Sequence, residues 1–302
     1  MSRPLRSSGG SLALAEAAAP ELVAPGQVTW MDRLDLELDN LRAAIAYTLK
    51  HADPAPGIRL AAALRVFWKA RGHAAEGAEA LRALLDVPAA QEAAVLRARG
   101  LATAAYLLEQ TGGYAIAEGY CDEALSIAQA AGDDYLVADL MDVRGYILLR
   151  RGRPGAAMPL IELGLGLARQ IGEAHLTARL LAARAFALDL EGDRAGAARD
   201  AAESLRLYRQ VGDQRQVGTM LGNLGYVELS IGDIDIARGH CGGGTVGRGI
   251  PAVRSRRHVR LTQCRVRKTD RSRRARLAWA CERADQGGPP GFSLGRRSGG
   301  TP

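Results

Sequence analysis

Apolar and small residues recur along this chain with a period of forty residues, which predicts a repeated helical unit. One apolar position is filled by Leu101, Met141, Leu181 and Leu221. Four residues later comes a small residue, at Ala105, Gly145, Ala185 and Gly225. Three residues further on stand Leu108, Leu148 and Leu188, with Glu228 as the departure. Spacings of i, i+4 and i+7 place these columns on one helix face.

Glycines mark turns on the same period. One series consists of Gly72, Gly112, Gly152, Gly192 and Gly232. A second series lies halfway between, at Gly132, Gly172 and Gly212, and each of these is followed by an acidic residue. Glycine ends a helix at low cost because it adopts the left-handed conformation without a Cβ clash. The acidic residue then suits the start of the next helix, by capping or through the helix dipole.

Turns every twenty residues predict pairs of antiparallel helices. The expected pairs are 95–111 with 114–131, 134–151 with 154–171, 174–191 with 194–211, and 214–231 with a helix starting near 234. An irregular pair, 57–71 and 74–86, and an amphipathic helix over 30–50 precede them. The alanine column at Ala117, Ala157, Ala197 and Ala237 indicates where paired helices approach closely. We therefore predict an all-α, superhelical array of helix hairpins, in which neighbours cover each unit's apolar face.

Four segments follow from these patterns. Residues 1–11 lack the pattern and are expected to be disordered. Residues 12–90 form a helical segment that leads into the array, residues 91–238 form the repeats, with the last one truncated, and residues 239–302 form an Arg/Gly-rich tail. The tail has 15 basic and 3 acidic residues, whereas residues 1–238 have 25 basic and 30 acidic residues. The basic character of the chain therefore belongs to its tail.

The tail allows three interpretations. It lacks the forty-residue pattern, and Gly242, Gly243 and Gly244 fall where a helix should continue, which disfavours a helix. The favoured interpretation is that the coding DNA is translated in a shifted reading frame from about residue 239. GC-rich DNA that is read out of frame tends to encode Arg, Gly, Pro and Ala. The alternatives are a disordered basic arm that contacts nucleic-acid phosphates, and a capping segment with one helix over 271–284.

The repeats resemble tetratricopeptide repeats. The stretch "LGYVELSIGDIDIA" (224–237) has the small residue, the Gly-Asp turn and the second-helix alanine at that family's spacing. The period here is forty rather than thirty-four, as in longer-helix variants. This resemblance covers roughly residues 57–238 and implies a scaffold that binds partners.

A second resemblance covers about residues 12–90 and continues into the repeats. "AEAAAPEL", "WMDRLDLELDNLRAAIAYTL" and "LAAALRVFWKARGHAAEGAEALRALL" resemble the segment after the ATPase module in large ATP-binding regulators of the LuxR and antibiotic-regulatory type from actinobacteria. No GxxxxGK[ST] phosphate loop occurs, since "GGGTVGRG" lacks its lysine, and no helix-turn-helix follows. The resemblance therefore implies a sensor and partner-binding array without ATPase or DNA-binding domains.

An aromatic column is the sharpest candidate for a binding surface. It consists of Tyr106, Tyr146, Phe186 and Tyr226, each one residue after the small position, on the expected groove side of the first helices. Charged residues flank it at Arg99, Asp139, Arg179, Glu109 and Asp189. Aromatic platforms with mixed charges suit an extended peptide or a partner helix. The alternative is that the aromatics only pack between repeats.

We expect no enzyme, because no Ser/His/Asp, Cys/His or paired-carboxylate arrangement is persuasive. No cofactor and no metal are assigned, since the five histidines do not cluster in the sequence. The four cysteines show no metal spacing, and Cys121 is expected in the core, so a cytoplasmic protein is predicted. No apolar run approaches the roughly 20 residues of a membrane span. The expected partner is a protein or peptide. Binding of nucleic acid is expected only if the tail is genuine. The truncated array is expected to self-associate.

Overall fold

The structure is a computed structural model that describes residues 8–231, and the regular elements in that range are helical. The helices are Ser8–Glu21 (α1), Gln27–Lys50 (α2), Pro54–Ala63 (α3), Arg65–Ala70 (α4), Ala74–Leu85 (α5), Ala94–Thr111 (α6), Tyr114–Ala131 (α7), Asp134–Arg150 (α8), Pro154–Gln170 (α9), Ala174–Glu191 (α10), Arg194–Val211 (α11) and Gln214–Ile231 (α12), with a short 3-10 turn at Pro88–Gln91. None of these helices combines the length and the apolarity that a bilayer crossing requires.

The predicted fold class, an all-α array of helix hairpins, is confirmed. Helices α6 and α7, α8 and α9, and α10 and α11 form successive hairpins, and α12 packs on α11. Their bounds agree with the predicted ranges to within one residue. Several predictions lie outside the described residues, as do residues 1–7. They are the helix near 234, the turn glycine Gly232, the last alanine of its column, Ala237, and the tail 239–302.

The N-terminal part differs from its prediction in two places. Helix α1 begins at Ser8, so residues 8–11 are helical rather than disordered, and Ser11 is buried against α2. The predicted helix 57–71 is divided at Leu64 into α3 and α4. At that break the indole N–H of Trp68 donates to the carbonyl of Ala61 at 3.2 Å. The fully buried Trp68 side chain therefore stabilises the interruption from inside.

The glycine turns are formed as predicted. Seven of them have φ between 66° and 93°, at Gly72, Gly112, Gly132, Gly152, Gly172, Gly192 and Gly212. Two of the three predicted acidic caps accept a hydrogen bond from the next helix, Asp133 from the N–H of Leu136 and Asp213 from that of Gln216. Glu173 makes no such bond. A shorter side chain reaches the N–H groups of the first turn more readily than a glutamate does.

Small residues lie where paired helices meet, as the columns predicted. A Cβ added at Gly145 on α8 would lie 2.7 Å from Cγ1 of Ile161 on α9, so no larger residue fits there. Ala117, Ala157 and Ala197 are completely buried at the equivalent position of the second helices. Cys121 is also buried, and burial raises the pKa of its thiol to about 12. Close backbone approach therefore sets the hairpin geometry.

A contact between distant segments joins the start of α2 to the start of α12. The side-chain amide of Gln27 donates to Oδ1 of Asp213 at 3.1 Å and to the carbonyl of Leu22 at 2.6 Å, and its oxygen accepts the backbone N–H of Arg215 at 3.1 Å. Beside it, Pro25 packs on Gly212, where an added Cβ would lie 2.6 Å from the proline ring. We call Pro25, Gln27, Gly212 and Asp213 the closing contact.

Candidate functional site

Tyr106, the first member of the aromatic column, is surrounded by cationic side chains. Arg65 and Lys69 are four residues apart on α4 and therefore share one face of that helix. The guanidinium carbon of Arg65 lies 3.9 Å from the centre of the Tyr106 ring, and the Lys69 ammonium lies 4.7 Å from it. Arg179 of α10 approaches the same ring to 5.6 Å. Cations near an aromatic face are attracted by its quadrupole, so the ring holds the three together.

Asp139 of α8 connects two of these cations. The residue is 1% exposed, and its carboxylate accepts hydrogen bonds from Nη1 of Arg65 at 2.5 Å and from Nη1 of Arg179 at 2.7 Å. Burial alone would raise the pKa of Asp139, but the two guanidinium charges outweigh it and lower the pKa to about 2. Asp139 is therefore ionised at neutral pH and links α4 to α10 through α8.

Asp142, one helical turn further along α8, accepts a hydrogen bond from Nη2 of Arg179. Its other oxygen, Oδ1, is buried and has no hydrogen-bond partner in the described part of the chain. Burial and the charge of Asp139 raise the pKa of Asp142, although Arg179 opposes them. We call the side chains Arg65, Lys69, Tyr106, Asp139, Asp142 and Arg179 the inner cluster.

A second group forms around the middle of the aromatic column. Glu109 is buried and receives a hydrogen bond from Nε of Arg150 at 3.1 Å. The Arg150 guanidinium lies 6.0 Å from the centre of the Phe186 ring, while Tyr146 is half-buried against the core of the later hairpins. Burial is the main reason why the pKa of Tyr146 is raised, with Asp142 contributing. The carboxylate of Glu109, the guanidinium of Arg150 and the ring of Phe186 thus connect adjacent repeats.

The remaining predicted site residues lie apart from these groups. The side chain of Arg99 is 62% exposed and pairs with Asp133 at 3.4 Å. Asp189 is partly buried near the end of α10, and burial raises the pKa of its carboxyl group. Tyr226 on α12 is 50% exposed, unlike its half-buried equivalents in the three earlier repeats. The column therefore changes from enclosed at Tyr106 to open at Tyr226.

Sequence reasoning missed Arg65, Lys69, Asp142 and Arg150. Arg65 and Lys69 belong to the irregular hairpin, which does not share the forty-residue period, so no column contained them. Their i, i+4 spacing in "RVFWK" was the available signal. Asp142 could have been found as the residue one turn after Asp139 on the same helix face.

A shallow cavity of about 310 Å³ lies elsewhere, between the start of α3 and the start of α6. Its walls include Pro54, Ile58, Ala90 and Leu96. None of the predicted site residues lines it. Among residues 8–231, no group of three His, Cys, Asp or Glu side chains is arranged to hold a metal ion.

Comparison with known proteins supports the fold. No family model matches the sequence, and no curated protein matches it. Among 43 chains of solved structures that match is BtubC (BKLC) from P. vanneervenii, with a TM-score of 0.55 and 14% sequence identity. The match covers 86% of this chain and 99% of BtubC. At this identity the likeness shows a shared helical architecture alone, so function has to be argued from the residues of this chain.

Proposed function

We propose that this chain is a non-catalytic interaction module that binds an extended peptide segment of a partner protein along its aromatic column. The observation that carries the proposal is the exposure of Tyr226. Its equivalents are half-buried beside charged groups, whereas half of Tyr226 faces solvent. Tyrosine offers a large contact area at a low cost in conformational entropy, which is why exposed tyrosines concentrate in binding hot spots.

The ion-paired groups support such a surface in a different way. Arg65, Asp139 and Arg179 hold α4, α8 and α10 in fixed positions through buried charge-assisted bonds. A rigid platform lowers the entropic cost of binding a flexible peptide. We assign these residues a positioning role and Tyr226 a contact role.

The resemblance to ATP-binding regulators supports a proposed setting. In those proteins, a helical array of this kind follows an ATPase module. We propose that this module serves transcriptional regulation in the same way, as a cytoplasmic sensor array that receives a partner or effector.

The test is selection of binding peptides on the full chain, followed by a comparison of two alanine variants. Tyr226→Ala should lower the affinity for the selected peptides by about tenfold or more, as expected for a hot-spot tyrosine. Tyr47→Ala is the matched control, because Tyr47 is 53% exposed but lies on α2, outside the column. Equal affinities of the two variants, with helicity unchanged in both, would refute the proposed surface.

A second candidate function rests on the tail. Residues 239–302 have 15 basic and 3 acidic residues, which suits contact with nucleic-acid phosphates. The expected signature is duplex binding that weakens steeply with salt and disappears when residues 239–302 are deleted. Binding that survives the deletion would exclude the tail as its cause.

We also propose that the chain associates with itself through the end of the array near α12. A repeat array needs a capping unit to cover its last apolar face. Light scattering should give a mass above that of the monomer, 32.0 kDa. A monomer at all concentrations would contradict this.

A further inference from the structure

The inner cluster contains more positive charge than its own carboxylates neutralise. Asp139 and Asp142 are both bound by arginine, Asp139 by Arg65 and Arg179 and Asp142 by Arg179 alone. Lys69 contacts the Tyr106 ring, and among residues 8–231 no carboxylate forms an ion pair with it. Within the described part of the chain, the Lys69 ammonium therefore has a cation–π contact but no ion pair.

Buried N–H donors in the same region also lack acceptors. Nη2 of Arg65 and Nε of Arg215 are both buried and have no hydrogen-bond partner among residues 8–231. An unpaired buried donor is costly, and the cost is greater for a charged group. An oxygen-rich anion would satisfy such donors, because guanidinium groups bind carboxylates and phosphates with directed, charge-assisted hydrogen bonds.

The hydroxyl group of Tyr106 reports the resulting electrostatic potential. Burial alone would raise the pKa of Tyr106. The charges of Lys69, Arg65, Arg179 and Arg215 together outweigh burial and lower this pKa instead. The phenol oxygen is thus in a region of positive potential, where a negative group is stabilised.

We propose that Lys69, Arg65 and Tyr106 form a binding site for an oxyanion, a carboxylate or phosphate group. The Lys69 ammonium supplies the charge, the free Nη2 of Arg65 supplies a directed donor, and the Tyr106 hydroxyl supplies a second donor. Arg215 adds to the attraction from α12. Asp139 binds Nη1 of Arg65 and so holds the guanidinium over the Tyr106 ring, which leaves Nη2 as the donor for the anion.

This site goes beyond the proposed peptide-binding function, since the oxyanion can belong either to a free small molecule or to an acidic peptide. The two sources share the same recognition chemistry. They are separated by two probes, inorganic phosphate and an acetylated tri-glutamate peptide.

The chain allows a direct measurement because it has only three lysines, Lys50, Lys69 and Lys268. Reductive methylation with ¹³C-formaldehyde keeps their charge and gives each lysine a separable NMR signal, which Lys→Gln variants of the full chain assign. The Lys69 signal should shift saturably as one of the probes is added. Lys50, on α2, should not shift, and Lys268 reports non-specific binding by the basic tail.

Calorimetry on the unmethylated chain gives the affinity. Lys69→Gln should weaken binding of the active probe by about tenfold or more, as expected for a lost charge-assisted bond, and Lys50→Gln should leave it unchanged. A response to phosphate alone identifies a free or phosphate-bearing ligand, and a response to tri-glutamate identifies an acidic peptide. A static Lys69 signal with both probes, or equal binding by the two variants, overturns the site. The Tyr226 and Tyr47 comparison is independent of this result, so each proposal can fail alone.

Discussion

Gln27 and Asp213 are separated by 186 positions in the sequence, yet their side chains share a hydrogen bond of 3.1 Å. Both are almost fully buried, at 2% and 0% exposure. Asp213 also accepts from the backbone N–H of Gln216 at 3.0 Å and pairs with His175 at 3.1 Å. The helix cap of one repeat is therefore also the docking point for the N-terminal segment.

Replacing Gln27 by alanine should destabilise the fold, because it leaves the N–H of Arg215 without its acceptor and removes one donor from Asp213. A loss of about 2 kcal/mol in the free energy of unfolding is expected for a buried hydrogen-bonded group. Chemical denaturation measures it. Gln129→Ala, at an exposed position of α7, is the control and should stay within about 0.5 kcal/mol of the parent. Equal stability of both variants would contradict the closing contact.

Gly212 and Gly172 provide a matched pair of turn glycines. Both have positive φ, 91° and 76°, so alanine is strained at either position. Only at Gly212 would the new Cβ collide, 2.6 Å from the Pro25 ring, while nothing lies within 4 Å at Gly172. Gly172→Ala should cost about 1 kcal/mol, and Gly212→Ala should cost more. Thermal unfolding of the two variants tests the order, and equal losses would show that Pro25 yields without cost.

Asp139 and Asp142 lie on the same face of α8 and both bind Arg179, yet their replacement should have different effects. Asp139→Asn removes the one carboxylate among residues 8–231 that pairs with Arg65, and it should cost about 3 kcal/mol, in the range for breaking a buried ion pair. Asp142→Asn removes a charge that is buried beside Asp139 and has one unpaired oxygen. It should therefore cost less than Asp139→Asn. Urea denaturation at neutral pH compares them, and a larger loss for Asp142→Asn would reverse the assigned roles.

The pKa of Asp139 makes a specific prediction for acid. Its folded-state pKa of about 2 lies below the ordinary value of 3.8, so ionised Asp139 stabilises the fold above pH 3.8. That contribution, about 2 kcal/mol, is lost as the pH falls from 3.8 through 2. The stability difference between the parent chain and Asp139→Asn should shrink over this window.

The measurement is denaturant unfolding of both proteins at several pH values from about 5 down to about 2. Asp142 titrates in the opposite sense, because a raised pKa favours the folded state as it becomes protonated. Comparing the two proteins removes the part of this background that is due to burial, while the part due to the charge of Asp139 is lost in Asp139→Asn. A difference that stays constant would mean that Asp139 is not selectively stabilised as an anion.

Local rules predicted most of the repeat architecture. Gly72 through Gly212 could be placed because a helix ends in a conformation that glycine adopts easily. Gly145 and Ala157 could be placed because two helices that pack closely need small residues. These constraints act within one hairpin and leave a periodic trace in the sequence.

The inner cluster and the closing contact left no such trace. Arg65 reaches Asp139, 74 positions later in the chain, and Lys69 reaches the Tyr106 ring only because α4 packs beside the repeats. Gln27 meets Asp213 because the way in which each intervening hairpin packs on the next determines where Asp213 lies. Long-range placement of this kind depends on how each unit packs on the next, which one sequence does not display. The same cause explains why the four aromatics, equivalent in sequence, differ in exposure.

The contact between Gln27 and Asp213 also limits how this protein can change over evolutionary time. Open repeat arrays gain or lose whole units with little penalty, since each unit contacts only its neighbours. Here, duplication of one forty-residue unit anywhere between α6 and α11 would carry Asp213 away from Gln27 by the width of a hairpin. Gln27 and Asp213 would lose their hydrogen bond to each other, and Gln27 would also lose the N–H of Arg215. The contact therefore requires a set number of hairpins between the two residues, and a chain with one unit more or fewer should be less stable.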